Sequence, residues 1–149
     1  MKLRTASVNA QKKITHARIT DEKGDGAQIR SAPARTLDSV VAERDLKKPF
    51  LLKIDVDGAE MKVLAGATQT LASCSVVIIE TGFKNMLERA NCLHEAGFEI
   101  FDIVDLCYYD DRFVQADMIF LSKRIIKNNG LEVYKDGFDI RRWTPYRPG

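Results

Sequence analysis

Phe50-Leu51-Leu52-Lys53-Ile54-Asp55-Val56-Asp57-Gly58-Ala59-Glu60 is the stretch whose reading decides the fold. A nearly continuous apolar run is broken by two acids and closes on Gly58 just before a helical pattern begins. Apolar residues at successive positions suit a strand buried on both faces, as in the middle of a parallel sheet. Asp55 and Asp57 then lie near the carboxyl end of that strand, the edge at which open α/β sheets bind ligands. Charge at such a place is costly unless it is paired, solvated or used.

Working outward, Glu60 to Leu71 puts Val63, Leu64, Ala67 and Leu71 on one helical face. Ser75 to Glu80 is a second strand that again ends on an acid. A second helix runs to about Ala96, with Leu87, Ala90, Leu93 and Ala96 as its inner stripe and Gly97 as its C′ residue. Phe98 to Val104 and Ala116 to Leu121 are two further strands rich in Ile, Phe, Val or Met. The order strand, helix, strand, helix, strand, strand predicts an α/β fold with a final antiparallel pair.

These residues resemble the FkbM family of methyltransferases, which use S-adenosylmethionine. The matching signature is Thr36-Leu37-Asp38, then Leu52 to Glu60, then Val63-Leu64-Ala65-Gly66-Ala67, then Val77-Ile78-Ile79-Glu80. Glu95-Ala96-Gly97-Phe98 and Phe101 to Asp105 continue the likeness, which covers Ala34 to Lys123. The resemblance implies a partial Rossmann-like class I methyltransferase fold, with a mainly parallel sheet ending in an antiparallel strand pair. It also implies a glycine-rich first turn for the cofactor and an acid for its ribose, both ahead of Thr36. Met1 to Arg35 is too short for two βα units, since one takes about 30 residues. Gly24 and Gly26 lie in an acidic, hydrophilic stretch that reads as a loop or hairpin. The chain is therefore expected to be the C-terminal half of such an enzyme, whether as an incomplete gene model, a truncated paralogue or a split protein. By itself it is expected to bind the cofactor poorly.

Three segments are expected: 1–35, polar, with at most one short strand or hairpin; 36–123, the methyltransferase-like α/β domain; and 124–149, a basic, loop-like extension. Thr36 caps a short helix through Glu43. Trp143 either packs on the domain or belongs to a loosely ordered tail, with Arg141, Arg142, Tyr146 and Arg147 around it. A net charge of +2 does not point to nucleic acid. No apolar run approaches the roughly 18 residues of a membrane span, and no secretory h-region opens the chain. Cys74, Cys92 and Cys107 are odd in number and widely spaced, so they read as reduced thiols and the localisation as cytoplasmic.

Asp55, Glu80 and Glu60 are the candidate catalytic side chains, and Asp57, Gly58 and Lys53 the candidate cofactor-side residues. Most have a structural rival. Asp57 and Glu60 have the spacing of an N-cap and its N3 partner, a capping box that accounts for both without chemistry. Lys53 alternates with Asp55 and Asp57 and either neutralises them or touches substrate. Asp55 gains nothing from capping. Tyr108 and Tyr109 either line a pocket rim or pack. His94 reads as a half-exposed surface histidine, and neither it nor His16 suggests a metal cluster. A carboxylate edge can also hold a divalent cation, but no coordination spacing is present, and no metal is assigned.

The resemblance implies methyl transfer to an oxygen of a small molecule or sugar, with Asp55 as proton acceptor and Glu80 and Glu60 shaping the acceptor side. A non-catalytic remnant that binds a partner or ligand is the alternative. A receiver-like domain would need an acidic pair before Asp55, which is lacking. The missing first strand would leave an open sheet edge, so a homo-oligomer or a separate N-terminal half is the expected partner.

Overall fold

The computed structural model describes residues 2–6, 16–19, 28–31, 33–135, 137 and 139–145, the first three stretches by their backbone alone. Gly24 and Gly26, Ile14, Tyr146 and Arg147 lie outside the described residues. Three short strands come first: β1 (Lys2–Ala6), β2 (His16–Ile19) and β3 (Gln28–Ser31). They form an antiparallel sheet in the order β2-β1-β3, where a single strand or hairpin was expected.

The second sheet holds β4 (Phe50–Ile54), β5 (Cys74–Gly82), β6 (Phe98–Tyr109) and β7 (Arg112–Ser122), in the order β4-β5-β7-β6. β4 and β5 are parallel, whereas β7 lies antiparallel to both β5 and β6. The expectation of a mainly parallel sheet is thus corrected: the sheet is mostly antiparallel apart from one parallel pair. The reason is that β6 and β7 form a hairpin whose second strand enters between β5 and β6. The hairpin turns at Asp110 and Asp111, both with left-handed backbone (φ 48° and 59°), as a two-residue turn between twisted strands requires.

β4 is also not buried on both faces. Phe50, Leu52 and Ile54 face the core, and Ile54 is fully enclosed, while Leu51 is 64 % exposed and Lys53 is open to solvent. No described strand pairs with the outer edge of β4. The core lies on one face of the sheet, where Ile54, Val77, Ile79, Met118 and Phe120 meet Leu64, Leu71 and Leu93 from the helices and Ala67 from the segment between two of them. Val76, Ile78, Ile119 and Leu121, on the opposite face, are only half-buried.

The helical crossover between the parallel strands is broken in two, α2 (Glu60–Ala65) and α3 (Thr68–Leu71), where one helix was expected. The break is held from outside by α1 (Leu37–Ala42), which Thr36 caps through the Ser39 amide. The Asp38 amide donates to the Gly66 carbonyl, and the Asp38 carboxylate accepts from the Gln69 and Thr70 amides and from both threonine hydroxyls. Gly66 allows this close approach: a Cβ there would stand 3.2 Å from Cβ of Thr36, which would have to give by a few tenths of an ångström. Thr36-Leu37-Asp38 and Gly66-Ala67 are therefore two halves of one joint. Burial pushes Asp38 upward, but the bonds led by the Thr70 hydroxyl prevail and hold it below the ordinary carboxylate range.

α4 (Met86–Glu95) ends at Gly97, which has left-handed backbone (φ 92°) as expected of a C′ residue. Its inner stripe differs from the expected one. Leu93 is buried and Ala90 packs on the core, but Leu87 is 77 % exposed, Ala96 is exposed, and Arg89 takes an inward position. Beyond β7, α5 (Lys123–Asn129), capped by Ser122, and a 3₁₀ turn (Ile140–Arg142) form where a loop was expected. Trp143 is 60 % exposed.

Candidate functional site

The carboxyl ends of β4 and β5 border a cleft of about 380 Å³ lined by Asp57, Gly58, Glu60, Glu80, Gly82, Asn85 and Arg89. Four of the six expected site residues meet in it. The chain enters it through two successive left-handed residues, Asp57 (φ 48°) and Gly58 (φ 96°). Aspartate tolerates that conformation better than most residues, and glycine adopts it freely. This turn swings the backbone out of the strand and into α2.

Glu60 is 2 % exposed and locks the turn in place. One carboxylate oxygen accepts from the Gly58 amide at 3.0 Å; the other accepts from Arg89 Nη2 at 2.5 Å. Arg89 Nη1 donates to the Glu80 carbonyl at 2.8 Å. One guanidinium on α4 thus ties the β4–α2 turn to the end of β5. The capping-box expectation fails in detail: Ala59, not Asp57, is the N-cap of α2, and no side chain caps it. Glu60 does reach back to an amide, but its second oxygen belongs to a buried ion pair.

Glu80 is half-buried, and Oε1 accepts from Gln115 Nε2 at 2.6 Å. Burial pushes its carboxyl above the usual glutamate range, and the charges of Asp55, Asp117, Asp57 and Glu60 push it the same way.

Lys53 and Asp55 stand beside the cleft and are not among the residues that line it. Lys53 Nζ lies 2.9 Å from Asp117 and 3.6 Å from Asp55, with roughly half of each of the Lys53 and Asp55 side chains exposed (49 % and 51 %). The hydrogen bond to Asp117, then its charge, hold the ammonium above the ordinary lysine range. Asp117, with its side chain 11 % exposed, is directly opposite Glu80 in the β5–β7 register.

Sequence reasoning missed Arg89, Gln115 and Asp117. The signal for Asp117 was an acid inside the apolar run Ala116 to Leu121; for Arg89 it was a cation on the inner face of an amphipathic helix. Tyr108 packs edge-on against Phe113 at 5.8 Å and does not border the cleft. His94 faces Glu99 at 3.5 Å on the surface. No group of three or more potential metal ligands is present among the described residues. Cys74, Cys92 and Cys107 are free thiols.

A family model described as the methyltransferase FkbM domain matches residues 2–107. The match takes in β1 to β3, beyond the Ala34 limit of the resemblance seen in the sequence, and stops within β6. No curated protein and no solved structure matches the chain.

Proposed function

Because the chain belongs to the FkbM methyltransferase family, we propose that it serves S-adenosylmethionine-dependent O-methylation of a small-molecule or sugar hydroxyl, with the acidic cleft as the acceptor site. The observation that carries this reading is Glu80. A carboxyl at the end of β5, lining the cleft with raised proton affinity, is a better proton acceptor than an ordinary glutamate. In this proposal it replaces Asp55 as the group that takes the hydroxyl proton, because Asp55 stands outside the lining and pairs with Lys53.

S-adenosylmethionine, when bound, supplies a methyl carbon already activated by its sulfonium charge. The carboxylates of the cleft suit a positive sulfonium, and Asp57 and Gly58 are the residues that would face it. Among the described lining residues there is no apolar side chain for an adenine ring. The chain's own task is then alignment and proton removal. Arg89 and Glu60 hold the turn and the end of β5 in fixed relation, Gln115 orients the Glu80 carboxyl, and Asn85 offers both a donor and an acceptor to a hydroxyl. A parallel strand pair joined by a helical crossover, with acids at its carboxyl ends, supports a partial Rossmann-like arrangement. No described helix is long and apolar enough to cross a membrane, and free thiols fit a reducing compartment such as the cytoplasm.

That the described lining residues offer no adenine slot favours a second reading, a non-catalytic module that keeps the acceptor half. The two are separated by incubating the chain with methyl-¹³C S-adenosylmethionine at millimolar concentration and a panel of polyols. An O-methyl product that disappears in Glu80→Gln supports the enzyme. Polyol binding at the cleft with no methyl product supports the module.

A further inference from the structure

We propose that Phe83, braced by Phe113 and Tyr108, is an acceptor-contacting residue: its ring is the platform for the apolar face of a cyclic, hydroxylated acceptor, so that rings are taken in preference to open-chain polyols. This rests on the reading of the cleft as an acceptor site. The rings form one row, Phe83 packing on Phe113 at 6.4 Å and 75°, and Tyr108 on Phe113 at 5.8 Å and 68°. Phe113 is half-buried, but Phe83 is 72 % exposed and Tyr108 52 %. A single exposed ring is ordinary, whereas a connected apolar row marks a contact surface. Because its neighbour stands nearly perpendicular, Phe83 keeps at least one face that Phe113 does not cover.

The occupant follows from the place of the row on the sheet. Across β5 and β7, Glu80 lies opposite Asp117 and Gly82 opposite Gln115, so alternation puts Glu80, Gly82, Gln115 and Phe113 on one face. Tyr108 joins them as the cross-strand partner of Phe113. Phe83 follows directly on Gly82, and its amide donates to the Val114 carbonyl at 3.1 Å. Gly82 lies between Glu80 and the rings. Beyond its chain neighbours, a Cβ there would meet only the Val114 carbonyl, at 3.5 Å, so the ground between carboxyl and row is open. The polar end of this surface carries the Glu80 carboxyl and, in the same lining, the Asn85 amide. Ligand sites typically join an aromatic wall to a few placed polar groups in this way. A pyranose-like ring, with hydroxyls around its rim and C–H bonds on its faces, meets both ends at once. An open-chain polyol has no fixed apolar face to offer.

The test is saturation-transfer NMR on the full chain at pH 7, irradiating aromatic protons and reading the ring C–H protons of methyl β-glucopyranoside, with sorbitol as the open-chain probe. Saturation should reach the glucopyranoside strongly and sorbitol weakly. Phe83→Ala should remove most of that transfer and weaken glucopyranoside binding about two- to tenfold. With Phe83 72 % exposed, the variant gives up little packing and should stay folded. Gly82→Leu, which fills the open ground, should block the glucopyranoside as well. Tyr134→Ala, at an equally exposed ring beside Glu99 and Lys123 and outside the cleft, should change nothing. The proposal is overturned if Phe83→Ala binds the glucopyranoside as wild type does, if sorbitol binds as tightly, or if neither probe binds. Sedimentation showing a dimer that Phe83→Ala dissociates would also overturn it, by giving the row to a second copy. Saturation transfer without any methyl product removes the enzyme alone. Methylation of sorbitol as fast as of the glucopyranoside, untouched by Phe83→Ala, removes this inference alone.

Discussion

Replacing Glu60 by Gln tests the joint beneath the cleft. The side chains of Glu60 and Arg89 are 3 % and 6 % exposed, so water cannot take the place of a lost partner. Gln keeps an oxygen for the Gly58 amide but leaves the Arg89 charge buried and uncompensated. Breaking a buried pair from one side costs about 3–5 kcal/mol, and the surviving amide contact puts Glu60→Gln near the lower figure. Arg89→Met leaves a buried carboxylate instead and also frees the Glu80 carbonyl, a further loss of about 1 kcal/mol. The double variant removes both charges and should recover most of the deficit, since buried pairs can be exchanged for neutral groups at little net cost. Urea unfolding of the four proteins gives the coupling directly, provided the m-value is unchanged. The cycle should return a coupling of about 2 kcal/mol or more. Single losses below about 1 kcal/mol, or additivity within about 0.5 kcal/mol, would refute the argument.

Asp38→Ala removes an acceptor of four hydrogen bonds and should cost about 2 kcal/mol of stability, read by urea unfolding, with no change in the fold of β4 or β5. Its carboxyl is held below the ordinary 3.8, so its contribution is present above that pH and is lost as pH falls through the folded value; the gap between wild type and Asp38→Asn should shrink only in strong acid. Glu80 has the opposite sign: its folded value is raised above 4.5, so the stability linked to its protonation is present below that pH and is lost as pH rises through the folded value. Glu80→Gln should therefore be more stable than wild type at neutral pH, and thermal scans should show the advantage fading as pH falls through the raised folded value and gone below about 4.5. Leu51, 64 % exposed on the edge strand β4, should favour association along that edge, so light scattering should show Leu51→Lys less associated than wild type; equal association of the two would discard the edge as the cause.

The existence of β4 and β5 was legible because a short apolar run that stops at an acid suits a strand reaching the edge of a sheet and little else. Asp57, Gly58, Glu60 and Glu80 came with those strands. What local pattern could not reveal was order across the sheet. β7 enters between β5 and β6 through a hairpin, and periodicity within a strand carries no record of its neighbours. Leu51 looked like core for the same reason: whether a strand's second face is covered depends on what packs there, not on the strand. The inner stripe of α4 was misread because an arginine argues against a buried face, yet Glu60, 29 residues away, neutralises Arg89 there. The role of Asp38 was hidden because its partners, Gln69 and Thr70, lie across a helix break that the apolar spacing around Gly66 conceals. Gln115 and Asp117 were equally hidden, since they matter through their cross-strand positions beside Glu80.

The pH dependence of methyl transfer in wild type and Glu80→Gln tests the central claim most directly. With Glu80 as the proton acceptor, turnover should rise with pH through a midpoint above 4.5, and Glu80→Gln should lower it by about 10²–10⁴-fold and abolish that limb. A turnover in Glu80→Gln equal to that of wild type, with the same pH profile, would contradict the account.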